Sequence, residues 1–109
     1  MTAPLTPPDR RSRSENLRLA REKGRHTDLE WLVMKHLFKV CVKCRDPGWN
    51  IEKDHIRPIC IGGSDSVDNL QPLCARCNTS KTLDCTDYRD AALPNWRAEF
   101  NRRIAIVLE

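Results

Sequence analysis

The chain has 109 residues, of which 19 are Lys or Arg and 15 are Asp or Glu, so its formal net charge is +4. This length predicts one small domain, whose limited core makes a stabilising metal ion plausible. The sequence has no apolar run near the roughly 18 residues that span a bilayer, and no apolar core of a secretion signal. We therefore expect a cytoplasmic protein without a membrane partner, whose six cysteines are metal ligands or free thiols rather than disulfides.

All of the net positive charge lies at the N-terminal end of the sequence. Residues 1–26 contain seven basic and three acidic residues, a balance of 7 − 3 = +4, and the remaining 12 basic and 12 acidic residues cancel. A basic segment on a neutral body indicates a polyanionic partner, most simply nucleic acid. A solubilising tail would have the same composition, so the charge pattern alone leaves both readings open.

The N-terminal segment differs in composition from the rest of the chain. Residues 1–12 contain three prolines and few apolar residues, which predicts disorder. Residues 12–24 (SRSENLRLAREKG) fit a short helix that ends at Gly24. We therefore expect a basic, largely flexible arm over residues 1–25 and a single domain over residues 26–109.

The segment HTDLEWLVMKHLFKV (26–40) predicts a helix. Thr27 and Glu30 have the spacing of a capping box at its start. Apolar residues recur at helical spacing and are expected to face the core, namely Trp31, Met34, Leu37 and Phe38. His26 and His36 have no partner at ligand spacing, so we interpret both as surface or boundary residues.

The central part of the sequence alternates turns and short extended segments before a helix. We predict a tight turn at CVKC (41–44), a strand within WNIEKDHIRPI (49–59), a loop at GGSDSVDN (62–69), an extended segment at NLQPL (69–73) and a helix at CARCNTSKTL (74–83). Pro72 limits regular strand pairing in the extended segment. Near the C-terminal end, Trp96, Phe100 and Ile104 recur at i, i+4 and i+8, which predicts an amphipathic helix packed on the domain.

Two CxxC pairs, separated by 29 residues, predict a metal site formed by Cys41, Cys44, Cys74 and Cys77. Four thiolates complete the tetrahedral shell of a zinc ion and leave no open position, so this zinc is expected to be structural. Its binding energy would contribute to folding, which suits a small domain. Cys60 and Cys85 have no CxxC partner, and we interpret them as ordinary thiols.

A second set of polar residues carries the chemistry of a phosphodiesterase. In the helix that follows Cys74, Asn78 and Lys81 share one stripe with the zinc ligands and project beside the metal site. Asp54 and Asn78 offer the oxygen atoms that Mg²⁺ or Mn²⁺ prefers. The imidazole of His55 can accept a proton from water at neutral pH, and the ammonium of Lys81 can neutralise a substrate phosphate.

The order Asp54-His55 raises a geometric question. Neighbouring residues on a regular strand point to opposite faces of the sheet. Both side chains can serve one site only if the strand is irregular there, or if the scissile phosphate lies between their two directions. The side chain of Asn69 could hydrogen-bond the backbone of this segment and fix the loop that follows it.

These residues resemble the HNH endonuclease family, and in particular a phage and bacterial subgroup with a four-cysteine zinc site. The resemblance covers roughly residues 27–83 and rests on Asp54-His55-Ile56, Pro58, Gly62-Gly63, Asn69-Leu70-Gln71, Leu73-Cys74, Cys77-Asn78 and Lys81. It implies an α+β chain built on the small ββα-metal fold, which is treble-clef-like, with flanking helices. Asn78 stands where many members have a histidine, a departure shared by an HNN-type branch.

The resemblance also implies residue roles. His55 would be the general base, Asp54 and Asn78 the ligands of the catalytic ion, and Asn69 the structural asparagine of the motif. Cleavage of a DNA phosphodiester bond would leave a 5′ phosphate and a 3′ hydroxyl. Because Asn supplies a neutral oxygen where His supplies nitrogen, we favour Mg²⁺ or Mn²⁺ as the catalytic ion.

Three other functions fit parts of the same sequence. A zinc-stapled module that binds DNA or protein without catalysis would keep the cysteines and tolerate the loss of His55. A nuclease selective for branched DNA would usually act as a homodimer, and no long dimerisation helix is evident. A component of a phage DNA-packaging machine would need a terminase partner. By the resemblance, the protein would act in the cytoplasm of a bacterial or phage-infected cell.

Overall fold

The structure, a computed structural model, describes residues 12–47 and 50–108. The fold is α+β, and the described elements in chain order are α1 (Arg13–Lys23), α2 (Asp28–Phe38), β1 (Ile51–His55), β2 (Leu70–Cys74), α3 (Ala75–Lys81), α4 (Arg89–Ala92) and α5 (Trp96–Val107). The disorder predicted for residues 1–12 falls almost wholly outside the described residues. Within the described ranges, no helix combines the length and the apolar composition needed to cross a membrane.

Strands β1 and β2 form an antiparallel pair, and α3 begins directly after β2. This ββα unit is the predicted fold. Pro72 lies in the middle of β2, opposite Lys53, and does not interrupt the pairing. Its carbonyl accepts a hydrogen bond from the backbone N–H of Val42, 3.0 Å away on the side that faces away from β1. Pro72 therefore occupies a position at which the ladder requires no N–H donor.

Helix α2 begins as predicted, with Thr27 as its N-cap. The Thr27 hydroxyl accepts from the backbone N–H of Glu30, and the Glu30 carboxylate accepts from the backbone N–H of Thr27, so both bonds of the capping box are present. The core lies between α2, β2 and α5, and it includes Met34, Leu37, Phe38, Leu73, Trp96 and Phe100. The apolar stripe of α5 therefore packs on the domain, as expected.

Helix α1 packs against the rest of the domain. Ser12 caps its N-terminus, and the helix ends at Gly24, as predicted. It buries Asn16 and Ala20. The ammonium of Lys23 donates to the carbonyl of Gly62 at 2.7 Å, which ties the end of α1 to the loop between the strands.

The most buried guanidinium of the described residues was not foreseen. Arg89 is 4 % exposed, donates to both carboxylate oxygens of Asp87, and reaches the carbonyl of Leu70 through a third nitrogen. Its guanidinium also lies 4.3 Å from the centre of the Trp96 ring. Partial burial works against ionisation of Asp87, but the hydrogen bonds from Arg89 hold the pKa of this carboxyl below its ordinary value.

We expect Asp87→Asn to lower the free energy of unfolding by about 1–2 kcal/mol at pH 7, because it leaves the buried guanidinium without its counter-ion. The folded-state pKa of Asp87 is depressed, so its contribution is present above the unfolded value of about 3.9 and is lost as pH falls through the folded value. Urea unfolding at pH 7 and below pH 4 measures both effects, and the gap between the variant and the wild type should shrink in acid.

The matched control is Asp68→Asn, which breaks the exposed ion pair of Asp68 with Arg97. An exposed pair of this kind contributes about 0–1 kcal/mol. Equal unfolding free energies for the two variants at pH 7 would contradict the importance assigned to the Asp87–Arg89 pair.

Candidate metal centre and active site

Four cysteines converge where the turn after α2 meets the junction of β2 and α3, and they are Cys41, Cys44, Cys74 and Cys77. Their sulfur atoms all lie within 4.8 Å of one another, and the Sγ atoms of Cys44 and Cys74 are 3.9 Å apart. Zn–S bonds of about 2.3 Å in a tetrahedron separate the sulfurs by about 3.8 Å. The cluster therefore suits a structural metal ion, and its all-sulfur donor set favours zinc.

The backbone of each CxxC turn also supports metal binding. The N–H of Cys44 points to the Sγ of Cys41 at 3.5 Å, and the N–H of Cys77 points to the Sγ of Cys74 at the same distance. These donors stabilise negative charge on the two sulfurs that they reach. Cys74 is also the N-cap of α3, where the helix dipole favours a thiolate.

The thiols of Cys41 and Cys77 have pKa values shifted in opposite directions. Burial opposes ionisation of Cys41, but backbone N–H groups, led by that of Cys44, hold the pKa of its thiol at about 7. Burial and the neighbouring sulfurs raise the pKa of Cys77 to about 12. A divalent cation would favour ionisation of all four thiols, because the ligands bind as thiolates, and metal affinity should therefore fall as the pH falls.

A single cavity of about 500 Å³ brings the predicted chemical residues together. Its wall includes Asp54 and His55 from β1 and Asn78 and Lys81 from α3. Strand β1 ends at His55, and the chain bends at the next two residues, 56 and 57. Because the strand ends there, side chains that leave it on opposite faces can line one cavity.

Asp54 is buried, with 3 % of its surface exposed, and its carboxylate holds α3 against β1. The ammonium of Lys81 lies 2.8 Å from each of its oxygens, and the side-chain amide of Gln71 donates to Oδ2 at 2.9 Å. Lys81 also donates to the carbonyls of His55 and Ile56. In this structure, the ammonium of Lys81 is thus directed into the protein, toward the end of β1.

His55 is paired with a carboxylate that the sequence analysis did not single out. Its Nε2 lies 2.8 Å from Oδ1 of Asp65, whose side chain is 5 % exposed. Its other ring nitrogen, Nδ1, makes no hydrogen bond within residues 12–47 and 50–108. A carboxylate that accepts from Nε2–H leaves the lone pair of Nδ1 available to take a proton.

Asn69 joins the segment after β1 to the loop that precedes β2. Its side-chain oxygen accepts from the backbone N–H of Arg57 at 2.9 Å, and its amide donates to the carbonyls of Arg57 and Ser64 at 3.0 and 2.8 Å. Gly63 packs on the same carbonyl of Arg57, where an added Cβ would lie 1.8 Å from the oxygen. A side chain at position 63 would therefore displace this backbone.

Asn78 and Asp54 retain the capacity to bind an oxygen-preferring ion. The amide of Asn78 donates to Glu52 at 2.8 Å, while its Oδ1 has no hydrogen-bond partner among the described residues. A carboxylate has about four acceptor positions. The hydrogen bonds from Lys81 and Gln71 both go to Oδ2, so Oδ1 of Asp54 keeps acceptor capacity, although the ammonium of Lys81 also lies 2.8 Å from it. One carboxylate and one amide oxygen on the wall of a cavity fit Mg²⁺ or Mn²⁺, whose remaining ligands would be water and phosphate oxygens.

Two further residues, Gln71 and Asp65, hold the site together and were not predicted from the sequence. The contact between Gln71 and Asp54 is a consequence of the strand register, because Gln71 in β2 lies opposite Asp54 in β1. Its amide also donates to the carbonyl of Thr86, and its oxygen accepts from the backbone N–H of Tyr88. Asp65 lies in the GGSD loop, where an acidic residue ordinarily serves only as a turn former. Its residue type and position therefore did not indicate a role in the site.

We expect the purified protein to hold one zinc ion per chain, and Cys77→Ser to lose it. Because metal binding contributes to folding in a domain of this kind, the melting temperature of the variant should fall by about 10 °C or more. Metal content by atomic emission and thermal unfolding followed by circular dichroism measure the two effects.

The control is Cys85→Ser, because Cys85 is exposed and lies outside the cluster. It should retain zinc and the melting temperature of the wild type. Zinc retained at full stoichiometry in Cys77→Ser would contradict the four-sulfur site.

Comparison with known proteins places this geometry in a family. Residues 41–83 match the family model described as HNH endonuclease. The match begins at the first cysteine of the cluster and contains β1, β2 and α3, which carry the cavity residues. No curated protein and no solved structure matches the chain. Residues 41–83, which contain the ββα unit and the four-cysteine cluster, thus match an HNH endonuclease domain.

Proposed function

We propose that this protein is a metal-dependent endonuclease that hydrolyses phosphodiester bonds in DNA, with His55 as the general base. The observation that carries the proposal is the His55 imidazole in the cavity, with Nε2 on a buried carboxylate and Nδ1 without a partner in the described residues. The family match over residues 41–83 supports the same reaction class. A general base within reach of water and a scissile phosphate is what this hydrolysis requires.

The proposed reaction starts with a water molecule next to Nδ1 of His55. The imidazole takes one proton from this water, and the oxygen attacks the phosphorus in line with the 3′ oxygen. The bond from phosphorus to the 3′ oxygen breaks, and the departing oxygen takes up a proton from solvent. The products are a 5′ phosphate and a 3′ hydroxyl, and the imidazolium of His55 returns its proton to solvent.

Asp54 and Asn78 are the residues that would hold the catalytic Mg²⁺ or Mn²⁺. When bound, such an ion stabilises negative charge on the phosphate and on the departing oxygen. The protein contributes by fixing the two ligand side chains. Asp54 is held by Lys81 and Gln71, and Asn78 lies on a helix whose first turn carries two of the clustered cysteines.

Substrate phosphate contacts are proposed for cations on the cavity wall. Lys81 was expected to make this contact, but its hydrogen bonds in this structure go to Asp54 and to two backbone carbonyls. Arg13 of α1 lines the same cavity, is exposed, and has no charged or hydrogen-bonding partner among the described residues. We propose Arg13 as the cation that first meets a phosphate, with Lys81 available only if it leaves Asp54.

Helix α1 supports DNA as the partner. Arg18 and Arg21 of α1 and Arg25 just after it border a second, shallow cavity of about 400 Å³. Arg18 pairs with Glu22, which borders the same cavity, and Arg21 pairs with Asp65. Basic side chains next to a cleavage site suit the phosphate backbone on either side of the scissile bond.

The non-catalytic alternative is a zinc-stapled module that binds DNA or protein. The four-cysteine cluster fits this function equally well, because a closed sulfur shell serves only structure. The cavity with a paired imidazole favours the enzyme. Wild-type protein that binds DNA but never nicks it would identify the alternative as the function.

We expect the zinc-loaded wild type to nick supercoiled plasmid with Mg²⁺ or Mn²⁺, and His55→Ala to lose about 100-fold or more of this rate, because a general base contributes at least that factor. Conversion of supercoiled to open-circular DNA on agarose gels measures the rate. Zinc content should be the same in both proteins.

The control is His36→Ala, since His36 is exposed on α2. It should nick at the wild-type rate. EDTA should abolish nicking, but it also attacks the zinc site, so removal of free divalent ions by desalting, with zinc content monitored, is the cleaner test. Nicking by His55→Ala at the wild-type rate would exclude His55 as the base.

We expect Arg13→Gln to weaken binding of duplex DNA and to reduce the slope of log K against log salt concentration by about one, the effect of losing one phosphate contact. Fluorescence anisotropy without added divalent ion, at a series of salt concentrations, measures both quantities. The control is Arg102→Gln on α5, whose guanidinium pairs with Glu99. An unchanged slope for Arg13→Gln, matching the control, would exclude the contact.

A further inference from the structure

We propose that Asp65 is the positioning residue for the His55 imidazole, and that helix α1 holds Asp65 in place for this role. The inference rests on the proposed function of His55 as a base and deepens it. It also gives a part in the active site to a helix that lies outside the family match at residues 41–83.

The Asp65 carboxylate is enclosed and faces three titratable or basic groups. Besides Nε2 of His55, these are Nδ1 of His26 at 3.5 Å from Oδ1 and Nε of Arg21 at 3.6 Å from Oδ2. The 2.8 Å contact with His55 is the shortest of the three. The ammonium of Lys53 in β1 lies 3.0 Å from Nε2 of His26 and is a further charged group near the pair formed by Asp65 and His55.

The short contact assigns the proton of a neutral His55 to Nε2. An ionised carboxylate only accepts hydrogen bonds, so the nitrogen 2.8 Å from Asp65 must carry the hydrogen. Nδ1 is then the basic nitrogen. After Nδ1 has taken a proton from water, the carboxylate also stabilises the positive charge on the ring, which lowers the barrier to proton transfer.

The backbone of α1 fixes the position of Asp65. The backbone N–H of Asp65 points to the carbonyls of Ala20 and Gly24, both at 3.1 Å. The carbonyl of Asp65 accepts a hydrogen bond from the N–H of His26 at 2.8 Å. The carbonyls of Ala20 and Gly24 lie in the last turn of α1 and at its C-cap, where helix carbonyls otherwise lack partners, and His26 lies in the segment that joins α1 to α2. Displacement of α1 would therefore move Asp65 relative to His55 without a change in either side chain.

A purely structural role for Asp65 is the competing explanation. In that case, the carboxylate would serve only to satisfy His26 and Arg21 and to attach α1. Its loss would lower stability but would leave the pH dependence and chemical step of the remaining folded enzyme unchanged. The two explanations therefore differ in a readout that stability does not affect.

The test is single-turnover plasmid nicking by Asp65→Asn across pH, with Asp68→Asn as the matched control. Asp68 lies three residues away, is exposed, and loses the same charge. We expect Asp65→Asn to lose about 10–100-fold in the rate of the chemical step with little change in DNA affinity. Asp65→Glu should recover part of the rate.

A second measurement covers the case in which Asp65→Asn fails to fold. Nitrogen-15 chemical shifts of His55 in the wild-type protein report which ring nitrogen carries the proton. We expect the neutral ring to carry it on Nε2, and a neutral ring protonated on Nδ1 would overturn the inference. Folded Asp65→Asn that matches Asp68→Asn in rate and pH profile would overturn it as well. Both results are distinct from failure of the proposed function, in which the wild type itself does not nick.

Discussion

A helix of seven residues has too few turns to be stable alone, so α3 must be held in place from outside. Two attachments do this. At its start, Cys74 and Cys77 join the four-sulfur cluster, and at its end, Lys81 reaches the buried carboxylate of Asp54 and the backbone at the end of β1. The position of Asn78 in the candidate active site depends on these two attachments, because this residue lies between them.

The candidate site offers two sets of ligands whose chemistry would favour different cations. Sulfur atoms with backbone N–H support favour a soft, structural ion in the cluster. Carboxylate and amide oxygens of Asp54 and Asn78 favour a hard ion in the cavity. The ammonium of Lys81 already contacts the same carboxylate, so a bound divalent ion would share Asp54 with it. The ion pair with Lys81 would therefore weaken the attraction of the Asp54 carboxylate for a divalent ion.

Local patterns in the sequence predicted α1, α2, α3, α5 and the metal cluster, but not α4. The capping box of Thr27 and Glu30, the CxxC pairs and the stripe on α5 each act within a few residues, so spacing alone identifies them. Pro72 was expected to limit strand pairing. It occupies a ladder position whose backbone groups point away from β1, so the pairing needs no N–H from it. The orientation of each ladder position depends on register, which the isolated segment does not contain.

Long-range pairs were not predictable in the same way. Asp65 contacts His55, which lies ten residues earlier in the sequence. The buried Arg89 donates to the carbonyl of Leu70, which lies 19 residues earlier. No periodicity encodes such contacts, and both residues are of types that ordinarily face solvent. The packing of α1 on the domain could not be predicted either, because a basic helix has the composition of a solvated tail.

The proposed function requires two different ions in two different places within one small domain. Crystals of the zinc-loaded protein soaked in Mn²⁺, with anomalous diffraction recorded at the zinc and manganese absorption edges, would locate each ion separately. We expect zinc among the four cysteines and manganese between Asp54 and Asn78, on the side of the cavity that faces Nδ1 of His55. Manganese absent from that cavity at saturating concentration, or bound only at the cysteines, would contradict the proposed chemistry.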